Sequence, residues 1–257
     1  MTKIIGRVNF VFMNNIKVIQ HHDREGPGLF AKISAELGLK MKSYRPDQGE
    51  ALPTLVQGDS LLVMGGPMGL SDLNKKSCQW MRDELKLIKN ALEVQIPIIG
   101  ICLGAQFLGY AGGGNVEQLR NKSTKKPLAE VGWKPIKFQK GINEELILKD
   151  IPNIMDVLHW HGDRIVLPDQ ARLLASSAQC DEQMFRIGRS AYGLQFHIEL
   201  EEQDINKWVV EDSEFIKNAR GNDAVELIMH ENKIFSEKSL KTRLDLIKNL
   251  LLMLRGE

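Results

Sequence analysis

The sequence predicts a three-layer α/β fold, a doubly wound and mostly parallel sheet flanked by helices, and three observations carry that expectation. Strand-like apolar runs alternate with helix-period segments from Met13 onward, the pattern that lays helices on both faces of a parallel sheet. Residues 60–64 and 96–101 carry apolar side chains at consecutive rather than alternate positions, as strands buried on both faces require. Each of these runs leads into a glycine-containing turn. With 257 residues, 43% of them hydrophobic, the chain has ample apolar material for one large core.

The elements follow in order. Residues 1–12, with Val8, Phe10, Val11 and Phe12, precede a second methionine and are expected to be an N-terminal extension; residues 13–257 are expected to form a single domain ending in helices. Residues 16–20 form the first strand. Pro27 suits a first helical turn, Phe30, Ile33 and Leu37 follow at helical spacing, and Gly38 stops the helix. Residues 60–64 form a strand that runs into Gly65-Gly66-Pro67-Met68-Gly69. Cys78, Met81, Leu85, Ile88 and Leu92 then mark one buried helical stripe, which makes Cys78 a core residue. The strand at 96–101 ends at Cys102, and a helix begins at Leu103. Residues 112–126, rich in Gly, Asn, Ser and Lys, read as a surface loop. Strands are expected at 133–138, around Val157, Leu174 and Phe185, and at 192–196. Beyond Glu199 the chain is helical, and Leu240, Leu244, Ile247, Leu251 and Leu254 are expected to pack on the parent domain rather than form a dimer seam.

Charge and cysteine content narrow the function classes. Thirty-four Lys and Arg against 33 Asp and Glu, a net +1, give no sequence-wide field for nucleic acid or an anionic membrane. A small molecule or another protein is the expected partner. Cys78, Cys102 and Cys180 show no C-x-x-C spacing, and a reducing, cytoplasmic setting is expected. No stretch reaches the roughly 18 apolar residues of a spanning helix, and no signal-peptide pattern opens the chain.

Chemistry concentrates in two segments. Gly100-Ile101-Cys102-Leu103-Gly104-Ala105-Gln106 sits at a strand-to-helix junction, where small flanking residues let a nucleophile occupy a tight, exposed turn. The helix N-terminus favours a thiolate there, and the Leu103 amide is a natural oxyanion donor. A cysteine in a glycine-rich turn is also an ordinary core residue. The second segment, Gln195-Phe196-His197-Ile198-Glu199, puts a histidine and a carboxylate two apart, on one face of an extended chain. Nucleophile, base and orienter together are what acyl transfer needs.

These motifs resemble the class I glutamine amidotransferase family, with its Gly-x-Cys-x-Gly-x-Gln elbow and later His-x-Glu, over roughly residues 13–208. The resemblance implies a flavodoxin-like sheet, Cys102 as nucleophile, His197 as base and Glu199 as its orienter. It also implies Gly66 and Leu103 as oxyanion donors, and Gly65, Gln106, His161, Gly162 and Asp163 as substrate contacts. The substrate would be glutamine or a γ-glutamyl compound, with no cofactor. Where many members have proline between histidine and glutamate, this chain has Ile198. His21-His22-Asp23-Arg24-Glu25-Gly26-Pro27-Gly28 resembles the stand-alone subgroup related to the amidotransferase domain of GMP synthase.

Alternatives remain open at this level. His159 and His161 share a strand face, with His21 and His22 as further donors, but no third and fourth metal ligand is evident, so no metal is expected. Thiol redox sensing at Cys102, or a regulatory module without turnover, would not need the His-x-Glu pair. The segment after Glu199 is too short to be expected to hold a synthetase. Either a separate synthetase subunit receives the ammonia, or the chain hydrolyses γ-glutamyl compounds alone.

Overall fold

The structure, a computed structural model, describes residues 15–142 and 144–256; the expected extension at 1–12 lies outside them. Five strands form a parallel unit: β1 (Asn15–Ile19), β2 (Lys40–Tyr44), β3 (Ser60–Val63), β4 (Ile98–Ile101) and β11 (Ala191–Leu194). They lie in the order β2-β1-β3-β4-β11, the doubly wound arrangement whose strand ends hold ligands where the winding reverses. An antiparallel arm continues the same sheet through β10 (Met184–Ile187), β9 (Ala171–Ser176), β6 (Glu130–Phe138) and β7 (Ile154–His161).

Period-2 geometry sorts each central strand between two layers. Leu62 faces one side with Ile16, Val18 and Ile99, under α1 (Gly28–Glu36) and the last helix, α7 (Leu240–Arg255). Leu61 and Val63 face the other, under α2 (Trp80–Glu93) and α3 (Leu103–Ala111). Ile247, Leu251 and Leu254 of α7 are buried in the first layer with Leu244 packed at its edge, whereas Leu240 at the start of the helix is exposed, so the stripe packs on its own sheet except at its first leucine. Cys78 is buried in the second layer. A third cluster covers β6 and β7 with α4 (Glu202–Glu211), α5 (Ser213–Arg220) and α6 (Ala224–Lys238).

The expected loop at 112–126 contains a strand, β5 (Asn115–Gln118), paired antiparallel with β8 (Asp163–Val166). The sequence hides both because neither has an apolar face: Val116 is half-buried and Ile165 alone is fully buried. β2 was hidden for the same reason, with Lys40 and Ser43 exposed on an edge strand. No described helix is long and apolar enough to cross a membrane.

Candidate active site

Cys102 lies between β4 and α3 with φ 50° and ψ −104°, a conformation that costs an L-residue of order 1–3 kcal/mol and persists only where surroundings enforce it. Its amide donates to the Leu194 carbonyl at 2.8 Å, and its carbonyl accepts from the Gln106 amide at 3.0 Å. Glycine on either side is a steric necessity. A Cβ at Gly100 would stand 2.5 Å from the Gly104 carbonyl oxygen, and one at Gly104 would overlap the Val63 carbonyl. The sulfur therefore sits at the ends of three adjacent parallel strands, in a cleft of about 390 Å³.

His197 follows β11, its amide donating to the Leu158 carbonyl at 2.9 Å. Its Nδ1 meets Glu199 Oε1 at 2.7 Å, and the other oxygen of Glu199 accepts the Ile198 amide at 2.9 Å. Burial opposes charge on the ring, yet Glu199 on one side and a hydrogen bond to Cys102 on the other outweigh it and hold the His197 pKa well above its ordinary value. Gln195 Nε2 donates to Cys102 Sγ at 3.7 Å, and Gln106 Nε2 to Gln195 Oε1 at 3.4 Å. The two segments expected to carry chemistry thus meet.

The remaining expected residues divide. Gly66, Leu103, Gln106, His161, Gly162 and Asp163 all line the cleft with Cys102 and His197. Gly66 and Leu103 are neighbours, since a Cβ on Gly66 would lie 2.9 Å from Leu103 Cδ2. Gly65, expected as a substrate contact, is not among the residues lining the cleft. Its carbonyl is taken by His21 Nδ1 at 3.0 Å, and its Cα is roofed by Glu25 and His197. His21 itself is buried against Glu84, apart from His159 and His161.

Several site residues escaped the sequence reading, three of them within the His21–Gly28 segment. The Glu25 carboxylate would run into any side chain at Gly65, and His197 Cε1 would stand 3.2 Å from the same point. Burial pushes its pKa up to about 7, against the opposing pull of His197 and Arg24. Arg24 forks onto Asp212 at 2.6 and 3.0 Å and reaches Glu211 at 2.8 Å. Its guanidinium lies 5.1 Å from the Trp208 ring centroid, and Trp208 meets His197 edge-on at 5.0 Å. A Cβ at Gly28 would overlap the Glu199 carbonyl, which accepts the Leu29 amide at 2.8 Å. From α7, Arg243 donates to the carbonyls flanking Glu199, those of Ile198 at 3.2 Å and Leu200 at 2.7 Å.

A model of the family described as "Glutamine amidotransferase class-I" matches residues 29–218. The chain belongs to the class I glutamine amidotransferase family. Among its relatives, the glutamine amidotransferase-like protein YfeJ of Salmonella typhimurium is 30% identical over 209 residues, 80% of this chain and 84% of that one. The glutamine-hydrolysing GMP synthase subunit of Saccharolobus solfataricus is 33% identical over 144 residues, 55% of this chain and 68% of that one. A glutamine amidotransferase from Thermotoga maritima superposes with a TM-score of 0.80 at 25% identity, covering 95% of this chain and 99% of the other.

As a class I amidotransferase the chain departs from the common His-Pro-Glu at Ile198. The isoleucine side chain is fully buried in the core beside α7, turned away from the cleft as its place between His197 and Glu199 demands.

Proposed function

We propose that this chain is a cysteine-dependent amidohydrolase of the glutaminase type, in which Cys102, His197 and Glu199 act as nucleophile, acid–base and orienter. The observation that carries this reading is a cysteine held at positive φ in the same cleft as a histidine bonded at 2.7 Å to a buried carboxylate. Glu199 orients the ring and stabilises its charged form, leaving the other nitrogen for the sulfur.

The Cys102 thiolate attacks the γ-carboxamide carbon of glutamine, forming the C–S bond and an oxyanion. The amide N–H groups of Gly66 and Leu103 hold that oxyanion. His197 gives its proton to the departing nitrogen, the C–N bond breaks, and ammonia leaves a γ-glutamyl thioester. Water, deprotonated by His197, attacks the thioester, and glutamate departs as the thiolate returns. Gln106 and the segment His161-Gly162-Asp163 hold the amino-acid end of the substrate. The likeness to a glutamine-hydrolysing GMP synthase subunit supports delivery of the ammonia to a separate synthetase.

A second reading, a stand-alone γ-glutamyl hydrolase, is favoured by the apolar part of the cleft wall. Met68, Trp160 and Phe215 line it, surfaces suited to an amine or peptide leaving group. Glutamine, γ-glutamyl amines and glutathione conjugates assayed with the purified chain separate the two. Turnover of the conjugates alone favours the hydrolase, and glutaminase activity that rises on adding a synthetase favours the docked form. In either case Cys102→Ala is expected to abolish hydrolysis while circular dichroism is unchanged; undiminished turnover in that variant would overturn the assignment.

A further inference from the structure

The antiparallel arm carries a second cluster of chemistry-bearing groups. Glu130 on β6 pairs across the ladder with His161 on β7, and His159 lies two positions back on the same face. Glu130 Oε2 is 3.3 Å from His161 Nε2 and 3.9 Å from His159 Nδ1, and all three side chains are at most 5% exposed. One donor atom from each lies within 4.8 Å of the others.

Hydrogen bonding around the cluster leaves some of its buried polar atoms without a partner. His161 Nδ1 lies 2.8 Å from the Asp163 carbonyl, which can only accept, so Nδ1 carries the proton. Its Nε2 faces Glu130 Oε2 at 3.3 Å and the Gln183 amide nitrogen at 3.4 Å. Glu130 Oε1 accepts the Ser177 hydroxyl at 2.7 Å, and its Oε2 accepts the Gln183 amide at 2.6 Å. A buried carboxylate calls for a cation or a metal. Among the described residues neither ring nitrogen of His159 makes a well-formed hydrogen bond, the Lys134 backbone being the polar group beside the ring, and Gln183 Oε1 has no partner.

We propose that Glu130, His159 and His161 bind one divalent transition-metal ion of the zinc type, with Gln183 as the fourth ligand after its amide turns over. The donor set of two imidazoles, a carboxylate and an amide oxygen suits zinc rather than magnesium or calcium. Tetrahedral bonds of about 2.0–2.1 Å place ligand atoms about 3.3–3.4 Å apart, the Glu130–His161 spacing already present. The Asp163 carbonyl and the Ser177 hydroxyl supply the outer hydrogen bonds that orient such ligands. Because His161 also lines the catalytic cleft, bound metal would fix the His161–Asp163 turn. None of this depends on Cys102 chemistry.

The test uses the full chain, freed of metal by chelator and blocked at its reactive thiols with iodoacetamide, then titrated calorimetrically with Zn²⁺. One equivalent per chain is expected, retained through gel filtration, with no response to Mg²⁺. The Co²⁺ derivative should show a tetrahedral visible spectrum without thiolate charge transfer. Glu130→Gln and His159→Leu should each weaken binding by at least tenfold; His159→Leu should fold, since an apolar side chain there replaces a buried ring that makes no well-formed hydrogen bond. Folded wild-type protein that retains no stoichiometric zinc would overturn the proposal. Zinc bound equally well by the variants, or a thiolate band from cobalt, would overturn it too.

Discussion

Replacing Arg243 with methionine isolates what α7 contributes to the site. The arginine is 2% exposed, and burial lowers its pKa to about 10, so it is still charged at neutral pH. It donates to the carbonyls of Ile198 at 3.2 Å, Leu200 at 2.7 Å and Ser236 at 2.8 Å, and to the Ser239 hydroxyl at 3.1 Å. Methionine keeps much of the aliphatic volume and leaves three carbonyls without this donor, at about 1–3 kcal/mol each. Recovering the desolvation cost of the guanidinium offsets part of that, and a net loss of about 3–5 kcal/mol is expected, as when one partner of a buried charged arrangement is removed. At about 2–4 °C per kcal/mol for a chain of this size, the melting temperature should fall by roughly 6–20 °C. Thermal denaturation followed by circular dichroism measures the fall. The rate of Cys102 alkylation against pH, measured below the transition, reports on His197 and Glu199. A melting temperature within about 2 °C of wild type would refute the energetic reasoning. A large fall with an unchanged alkylation profile would refute the claim that Arg243 positions the Glu199 turn.

Three other perturbations have signs that follow from the geometry. Gly66→Ala places a methyl 2.9 Å from Leu103 Cδ2 and 3.1 Å from His21 Cβ, crowding the proposed oxyanion donors. Steady-state kinetics should show kcat reduced by about 10²–10³ with little change in melting temperature. Gly104→Ala drives a methyl into the Val63 carbonyl and should cost about 1–3 kcal/mol or more in urea denaturation; a neutral result would mean that the elbow can relax. The carboxyl of Glu25 binds its proton more tightly folded, at about 7, than at its ordinary 4.5. Between those values the folded chain holds more protons than the unfolded one, so the contribution of Glu25 to stability falls as pH rises and is lowest above about 7. Glu25→Gln should flatten that slope and stabilise the protein by up to about 3 kcal/mol at pH 8. Parallel wild-type and variant stability curves from pH 5 to 8 would contradict the burial argument.

The parallel half of the fold and the core of the site were legible because each carries a local signature. Consecutive apolar positions mark β3 and β4, and Gly100 and Gly104 flag the crossing that holds Cys102 at positive φ. His197 and Glu199, two apart, predict their shared face, and the structure bonds them at 2.7 Å. The groups that surround and support these residues were not legible because they are distant in sequence and mostly polar. Arg24 acquires meaning only through Asp212 and Trp208, and Arg243 only through the carbonyls beside Glu199. Glu25 looks like a surface acid until the backbone at Gly65 comes beneath it. Glu130 gives no hint of His159 and His161 until an antiparallel register places it opposite them.

Ile198 shows how these hidden parts bear on the motif that was visible. Proline between the histidine and the glutamate would stiffen the turn through its ring, but it would have no N–H. Here the Ile198 amide is the donor that fixes one oxygen of Glu199 at 2.9 Å, leaving the other to face His197. The flexibility regained at this residue is met from three directions. Arg243 ties the carbonyls on both sides of Glu199 to α7, the Leu29 amide at the start of α1 takes the Glu199 carbonyl itself, and the isoleucine side chain fills the apolar layer beneath α7. Rigidity that proline would supply locally is therefore drawn from α1 and α7, elements separated by most of the chain. Helix α7 is for that reason part of the site's construction, and a change there is transmitted to the carboxylate through the Arg243 hydrogen bonds to the carbonyls on either side of Glu199.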